Sequence, residues 1–176
     1  MGKPKQGQRL GVAVYPGTFD PVTNGHLDLI RRVLAIAEKL VVGVAVNPGK
    51  ETLFSVQERV AMLERATRGW RGVKVEPFDG LAVSFAKRRG ARMIVRGARM
   101  LSDFEYEFQM ALTNRKLEPT LETVFMMPSE EHSYLSSRLI KEAAALGAEV
   151  DPFVPGFVAR RLREKLRAGS KGLMSE

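Results

Sequence analysis

Short apolar, β-branched runs alternate along the chain with stretches in which apolar residues recur every three or four positions. Leu10–Tyr15 reads as a first strand. Val41–Val46 is almost continuously apolar, as a strand buried on both faces should be. Val73–Phe78, Arg92–Val95 and Thr123–Met127 read as further strands, the last stopped by Pro128. Between them, Leu27, Ile30, Val33, Leu34 and Ala37 fall on one face at helical spacing. Ser55-Val-Gln-Glu58 has the form of a capping box and opens a helix to about Arg68. Leu81–Arg89 reads as a third helix. Ser102-Asp-Phe-Glu105 repeats the capping-box form and opens a helix with Phe104, Phe108, Ala111 and Leu112 inward. Ser137–Leu146 and Phe157–Leu166 are the remaining helices.

Strands alternating with helices imply an α/β, Rossmann-like domain: βαβ units, a parallel sheet of about five strands with helices on both faces, and right-handed crossovers. No internal repeat or linker interrupts the body. Met1–Gln8 and about Ala168–Glu176 are expected to fray. In such a sheet a ligand sits at the carboxyl ends of the strands, near a switch point. The residues after each strand are therefore where chemistry is expected.

Composition narrows the chemistry. The 176 residues suit one domain, here 1–176, and 44% hydrophobic with 27% charged residues is a globular balance. With no cysteine, disulfides, thiolate metal sites and cysteine nucleophiles are excluded, and His26 and His132 are the only histidines. No apolar run reaches the length of a membrane span. Met1–Arg9 is basic without an apolar h-region, so no secretory signal is expected, and a cytoplasmic protein is. The net charge of +8 suggests a polyanion, but most of it lies at the ends: +3 in Met1–Arg9, +4 in Val158–Glu176 and +1 between them.

The loop after the first strand reads Tyr15-Pro-Gly-Thr-Phe-Asp-Pro-Val-Thr-Asn-Gly-His26. Gly17 and Gly25 permit close backbone approach. Thr23 or Asn24 can cap the following helix, and His26 stands in its first turn, where free N–H groups and the macrodipole favour an anion. A capped loop with an ordinary surface histidine is the bland alternative. G-x-G-x-x-G is absent, and Gly49-Lys50-Glu51 lacks the other residues of a P-loop.

This twelve-residue segment resembles the signature loop of bacterial phosphopantetheine adenylyltransferases, within the nucleotidylyl transferase superfamily. Their shared (H/T)-x-G-H motif is Thr23-Asn24-Gly25-His26 here, and the likeness runs from about Gly11 to Leu166. It implies catalytic roles for His26, Lys50 and Thr18. It places Phe19 with Thr18 and His26 at ATP. Lys50, in the loop after the second strand, would meet the phosphopantetheine phosphate as a mobile point charge. Thr18 and Ala82 would line the phosphopantetheine site, Ala82 where the family often carries a larger apolar side chain.

Arg96-Gly-Ala-Arg99 follows the fourth strand directly, and two such arginines can fork onto phosphate oxygens. The resemblance gives Arg96 to phosphopantetheine and Gly97, Ala98 and Arg99 to ATP. Asp103 and Glu107 share a helix face. Glu107 would accept from ribose hydroxyls or orient an arginine. Consecutive serines at a helix start offer hydroxyls and amides to a phosphate. In the superfamily that stretch, roughly I-S-S-[ST]-x-[IV]-[RK], binds the triphosphate. Here it reads Leu135-Ser-Ser-Arg-Leu-Ile-Lys141, so ATP contacts are carried onto His132, Ser133, Tyr134, Leu135, Ser136, Ser137 and Arg138. Arg138 replaces a small hydroxyl residue, and His132 replaces an aromatic.

The resemblance implies transfer of AMP from ATP to phosphopantetheine, giving dephospho-coenzyme A and pyrophosphate. Mg²⁺ would arrive with ATP, and the chain would form a homo-hexamer. A phosphate monoester is largely a dianion near neutral pH, so in-line attack needs no general base and no covalent enzyme intermediate. Another acceptor, such as nicotinate mononucleotide, or a cytidylyl transfer keeps the chemistry and changes the substrate. A basic nucleic-acid-binding protein is the reading from another class; it requires steeply salt-dependent binding and finds no matching motif.

Overall fold

The computed structural model describes residues 10–46, 49, 51–98 and 101–172, with the backbone alone for 101–103 and 169–172. Five strands, β1 (Leu10–Gly17), β2 (Ala37–Ala45), β3 (Val73–Phe78), β4 (Met93–Gly97) and β5 (Glu122–Met126), form one sheet in the order β3-β2-β1-β4-β5. Every neighbouring pair is parallel. The helices are α1 (Asn24–Ile36), α2 (Val56–Ala66), α3 (Ala82–Arg88), α4 (Leu101–Leu117), α5 (Ser137–Ala145) and α6 (Gly156–Gly172). Strand order reverses between β1 and β4, which puts the switch point at the carboxyl end of β1.

Alternation along the central strands divides the core. Ala13, Tyr15, Leu40, Val42, Val44, Met93 and Val95 face one side, where Leu29, Ile30 and Val33 of α1, Leu63 of α2, Ile140 of α5 and Leu162 of α6 cover them. Val14, Val41 and Ile94 face the other side, against Val83, Phe85 and Ala86 of α3. Gly43 is what lets this second side close, because a Cβ there would stand 2.7 Å from the Phe85 ring. The two coats are unequal, so β1 and β4 are covered most deeply on the side carrying α1.

Four sequence expectations change. Ala37 does not extend the first helix; it is fully buried as the first residue of β2, directly after the C-terminus of α1. Ser102 is not an N-cap, since α4 already runs from Leu101. Phe104, Phe108 and Leu112 are not inward but 42%, 47% and 50% exposed. The apolar residues of α4 are spread around the helix, so no single stripe can turn to the sheet. Phe104 stands 5.4 Å from the Phe125 ring and 5.9 Å from the Phe108 ring. At the C-terminus, helix α6 continues to Gly172 where fraying was expected. Val158 and Leu162 anchor it in the core, and Lys165 pairs with Glu58 at 3.0 Å. Met1–Gln8 lie outside the described residues.

Candidate active site

A cleft of about 620 Å³ opens at the carboxyl ends of β1 and β4. Its floor is the loop leaving β1. Gly17 is needed there because a Cβ would stand 2.9 Å from the Phe19 ring. Phe19 itself has φ of 53°, the left-handed region that a bulky residue avoids at a cost on the order of 1–2 kcal/mol. Its ring offsets this by burial, edge-on to Tyr15 at 5.3 Å and to His26 at 5.0 Å.

Asp20 is 5% exposed, and its carboxylate accepts from the amides of Leu53 at 3.0 Å and Phe54 at 2.9 Å. The same carboxylate takes Lys141 of α5 at 2.5 Å. Beneath this loop, Arg59 donates to the carbonyls of Thr18, Ala45 and Phe54. Burial pulls the Arg59 guanidinium below its ordinary value, and the charge of Asp20 opposes that shift.

Thr23 is the N-cap of α1, with extended backbone and a hydroxyl accepting from the His26 amide at 3.3 Å. In the usual capping box the third helical residue is Glu or Gln; here it is His26, whose Nδ1 accepts from the Thr23 amide at 3.0 Å. An Nδ1 that accepts must be unprotonated, so in the neutral ring the proton sits on Nε2. Capping therefore fixes the tautomer, and His26 brings an N–H donor to a cleft already lined by the first turn of α1. Asn24 turns the other way and ties α1 to the Pro152 and Phe153 carbonyls, at 3.0 and 2.9 Å.

The start of α5 faces the same cleft. Ser136 is its N-cap. Ser137 donates its hydroxyl to the Pro21 carbonyl at 2.8 Å, so it holds α5 against the β1 loop and leaves the helix amides as the anion-facing groups. Arg138 is solvent-exposed at the rim and paired with Glu142 at 2.9 Å. From the end of β4, Arg96 grips Glu107 of α4 with two guanidinium nitrogens, Nε at 2.6 Å, and donates to the Pro16 carbonyl at 3.1 Å. Burial would lower the Arg96 guanidinium, but the hydrogen bond and charge of Glu107 outweigh it and raise it. His132 lines the cleft with its Nδ1 buried and without a partner among the described residues.

Of the residues singled out in the sequence, Thr18, Phe19, His26, Arg96, Gly97, Glu107, His132, Leu135, Ser136, Ser137 and Arg138 line this one cleft. Four do not. The Ala98 side chain is 4% exposed, and its amide is bonded to the Met126 carbonyl at 3.2 Å. Ser133 turns its hydroxyl back to the Glu130 carbonyl at 2.9 Å. Tyr134 is 64% exposed and leans edge-on against Phe153. Ala82 starts α3 beyond the edge strand β3 and packs into the second core. Lys50 and Arg99 lie outside the described residues. The sequence reading missed Arg59 and gave Asp20 no role. Arg59 looks like one more charge on an amphipathic helix, and Asp20 is marked only by its place inside the Tyr15–His26 segment.

The chain matches the cytidylyltransferase-like family over residues 14–143, which spans the β1 loop, the cleft and most of α5. It is a nucleotidyltransferase of that family. A solved structure from Vibrio parahaemolyticus, described as a candidate nicotinate-nucleotide adenylyltransferase, has the same fold: TM-score 0.66 at 13% identity, over 87% of this chain and 98% of that one. Phosphopantetheine adenylyltransferases are much nearer in sequence. That of Caldanaerobacter subterraneus subsp. tengcongensis is 53% identical over 89% of this chain and 98% of its own length. Those of Caulobacter sp. (strain K31) and Moorella thermoacetica are each 54% identical over 88% of this chain, and over 98% and 96% of their own lengths. The chain belongs to the phosphopantetheine adenylyltransferase family.

Proposed function

We propose that the chain transfers AMP from ATP to the phosphate of phosphopantetheine, giving dephospho-coenzyme A and pyrophosphate in coenzyme A biosynthesis. The observation that supports this best is the convergence of two helix starts on one cleft at the switch point: α1 with His26 and α5 with Ser136 and Ser137. Each presents amides and the positive end of a helix to the same space, an arrangement suited to a polyphosphate.

An oxygen of the phosphopantetheine phosphate attacks the α-phosphorus of ATP in line. The bond from that phosphorus to the bridging oxygen breaks, and pyrophosphate leaves with the electron pair. The attacking group is already anionic, so the residues need only position and stabilise charge. His26 Nε2–H and the Thr18 hydroxyl, with Lys50, serve the oxygens of the reacting phosphorus. The amides at the start of α5 and Arg99 serve the leaving pyrophosphate, with Arg138 at its outer end. Arg96, steadied by Glu107, meets the phosphopantetheine phosphate. His132 Nδ1 offers the nucleotide a buried polar atom. Mg²⁺ enters as part of the ATP substrate, held by phosphate oxygens and water; among the described residues no cluster of three His, Cys, Asp or Glu side chains stands ready to hold a metal.

A homo-hexamer is part of this reading, and the exposed Phe104, Tyr106, Phe108 and Leu112 of α4 favour an apolar contact between copies. Among the described residues no helix is long and apolar enough to cross a membrane, which suits the cytoplasmic setting proposed here. The test is pyrophosphate release with ATP or CTP against phosphopantetheine, nicotinate mononucleotide and other phosphate acceptors. Turnover with ATP and phosphopantetheine at least about 100-fold above any other pair is expected; comparable turnover with another acceptor overturns the assignment.

A further inference from the structure

Arg59 is the largest fully buried side chain among the described residues, only 2% exposed. A guanidinium keeps its charge in a protein, so burying one demands partners. Its Nε donates to the Phe54 carbonyl at 3.1 Å, and one terminal nitrogen donates to the carbonyls of Thr18 at 2.6 Å and Ala45 at 3.0 Å. These carbonyls belong to three segments: the loop after β1, the last residue of β2 and the turn into α2. Strands β1 and β2 are paired as far as Gly17 and Val44. Arg59 spans the point where this ladder ends.

The Thr18 carbonyl is half of the trans peptide joining Thr18 to Phe19, for Asp20–Pro21 carries the only cis bond among the described residues. Across a trans peptide the C=O and N–H point in opposite directions. With the carbonyl drawn onto Arg59, the Phe19 N–H is turned away from it, and no described residue accepts from that N–H. Thr18 and Phe19 both line the cleft. The orientation is not one that Phe19 would choose alone, given its left-handed φ of 53°.

We propose that Arg59 is a positioning residue for adenylyl transfer: by pinning the Thr18–Phe19 peptide from below, it aims the Phe19 amide and the Thr18 hydroxyl at the phosphate in the cleft. The role rests on the adenylyl-transfer reading above. Arg59 touches no substrate. It acts through one peptide group, and a cation on the carbonyl also polarises the N–H at the other end into a better donor.

The experiment compares wild type, Arg59→Lys and Arg59→Gln, measuring kcat, both KM values and melting temperature, with turnover read well below each melting point. A purely structural brace would lower the melting temperature and leave kcat per folded molecule intact. The expected result is a fall in kcat of about 100-fold for Arg59→Gln and about tenfold for Arg59→Lys, which keeps charge but reaches fewer carbonyls. Both KM values should stay within about threefold. Folded variants with wild-type kcat overturn the proposal. The second measurement needs no variant: the Phe19 amide resonance of the wild-type chain is followed as magnesium α,β-methylene-ATP is added. A downfield shift supports the aimed amide even if both variants fail to fold, and an unmoved resonance overturns it. Wild-type protein that releases no pyrophosphate from ATP and phosphopantetheine refutes the adenylyl-transfer reading and with it the role of Arg59 in that reaction, whereas wild-type turnover with unimpaired variants overturns the Arg59 role alone.

Discussion

The Thr23 amide donates to Nδ1 of His26 at 3.0 Å, while the His26 amide bonds back to the Thr23 hydroxyl at 3.3 Å. A helix cap and the tautomer of its histidine are thus set by the same pair of residues. A free imidazole would divide its proton between two nitrogens; here Nε2 holds it before any substrate arrives.

His26→Ala removes that donor. We expect kcat to fall by about 100- to 1,000-fold, the range seen for a lost charge-stabilising donor, with ATP affinity changed only a few-fold. Steady-state pyrophosphate release and equilibrium binding of ATP measure the two parts. Turnover near wild type would remove His26 from the mechanism.

Thr23→Val tests which Thr23 group sets the ring, since the hydroxyl stands 3.0 Å from His26 Nδ1, as close as the amide. It deletes the hydroxyl but keeps the backbone N–H that holds Nδ1. The helix start should lose about 1 kcal/mol in urea unfolding. Turnover should drop far less than in His26→Ala; an equal drop would mean that the hydroxyl, not the amide, sets the ring.

Glu107→Gln tests the support of Arg96. The carboxylate takes two guanidinium nitrogens, and an amide oxygen can accept only in part. The KM for phosphopantetheine should rise about tenfold with a much smaller change for ATP, and stability should fall by about 1–2 kcal/mol. A rise confined to the KM for ATP would reassign the pair to the nucleotide.

Glu76 gives a pH signature remote from the cleft. Burial works against its charge, but hydrogen bonds and attraction from Lys74 and Arg89, each at 2.5 Å, prevail and hold the carboxyl below its ordinary value. A depressed folded value means stability that is fully present above the unfolded value, about 4.3, and is lost as pH falls through the folded value. Glu76→Gln should therefore be less stable than wild type at pH 7 by about 1 kcal/mol, a figure kept small because Lys74 is exposed. The gap should close in acid, and chemical unfolding at both pH values measures it. A gap that widens in acid would reverse the sign.

Much of this architecture was legible in the sequence. Continuous apolar runs at Val41 and Met93 mark strands buried on both faces, and the Ser55–Glu58 box forms as written, with Glu58 accepting from the Ser55 amide at 2.8 Å. The cleft was legible where a motif is contiguous, from Tyr15 to His26 and from Leu135 to Ser137. Roles that depend on distant partners were not. Nothing in the spacing of α2 shows that Arg59 points inward to three carbonyls, nor that the Ser137 hydroxyl is taken by Pro21. On α4, aromatic residues imply burial in general, but a helix whose apolar residues are scattered among charged ones does not show which of them its own sheet will cover.

Helix α5 reaches the β1 loop through two contacts that are remote in the chain, Ser137 to Pro21 across 116 positions and Lys141 to Asp20 across 121. This dictates an order of events during synthesis. The β1 loop emerges first, and its contacts to Ser137 and Lys141 must wait until α5 is made. A ribosome-bound chain stopped short of α5 can pair its strands, yet it has neither the second anion-facing helix nor the lysine that occupies Asp20. Activity should thus appear late and abruptly as the nascent chain lengthens, well after the sheet itself resists protease.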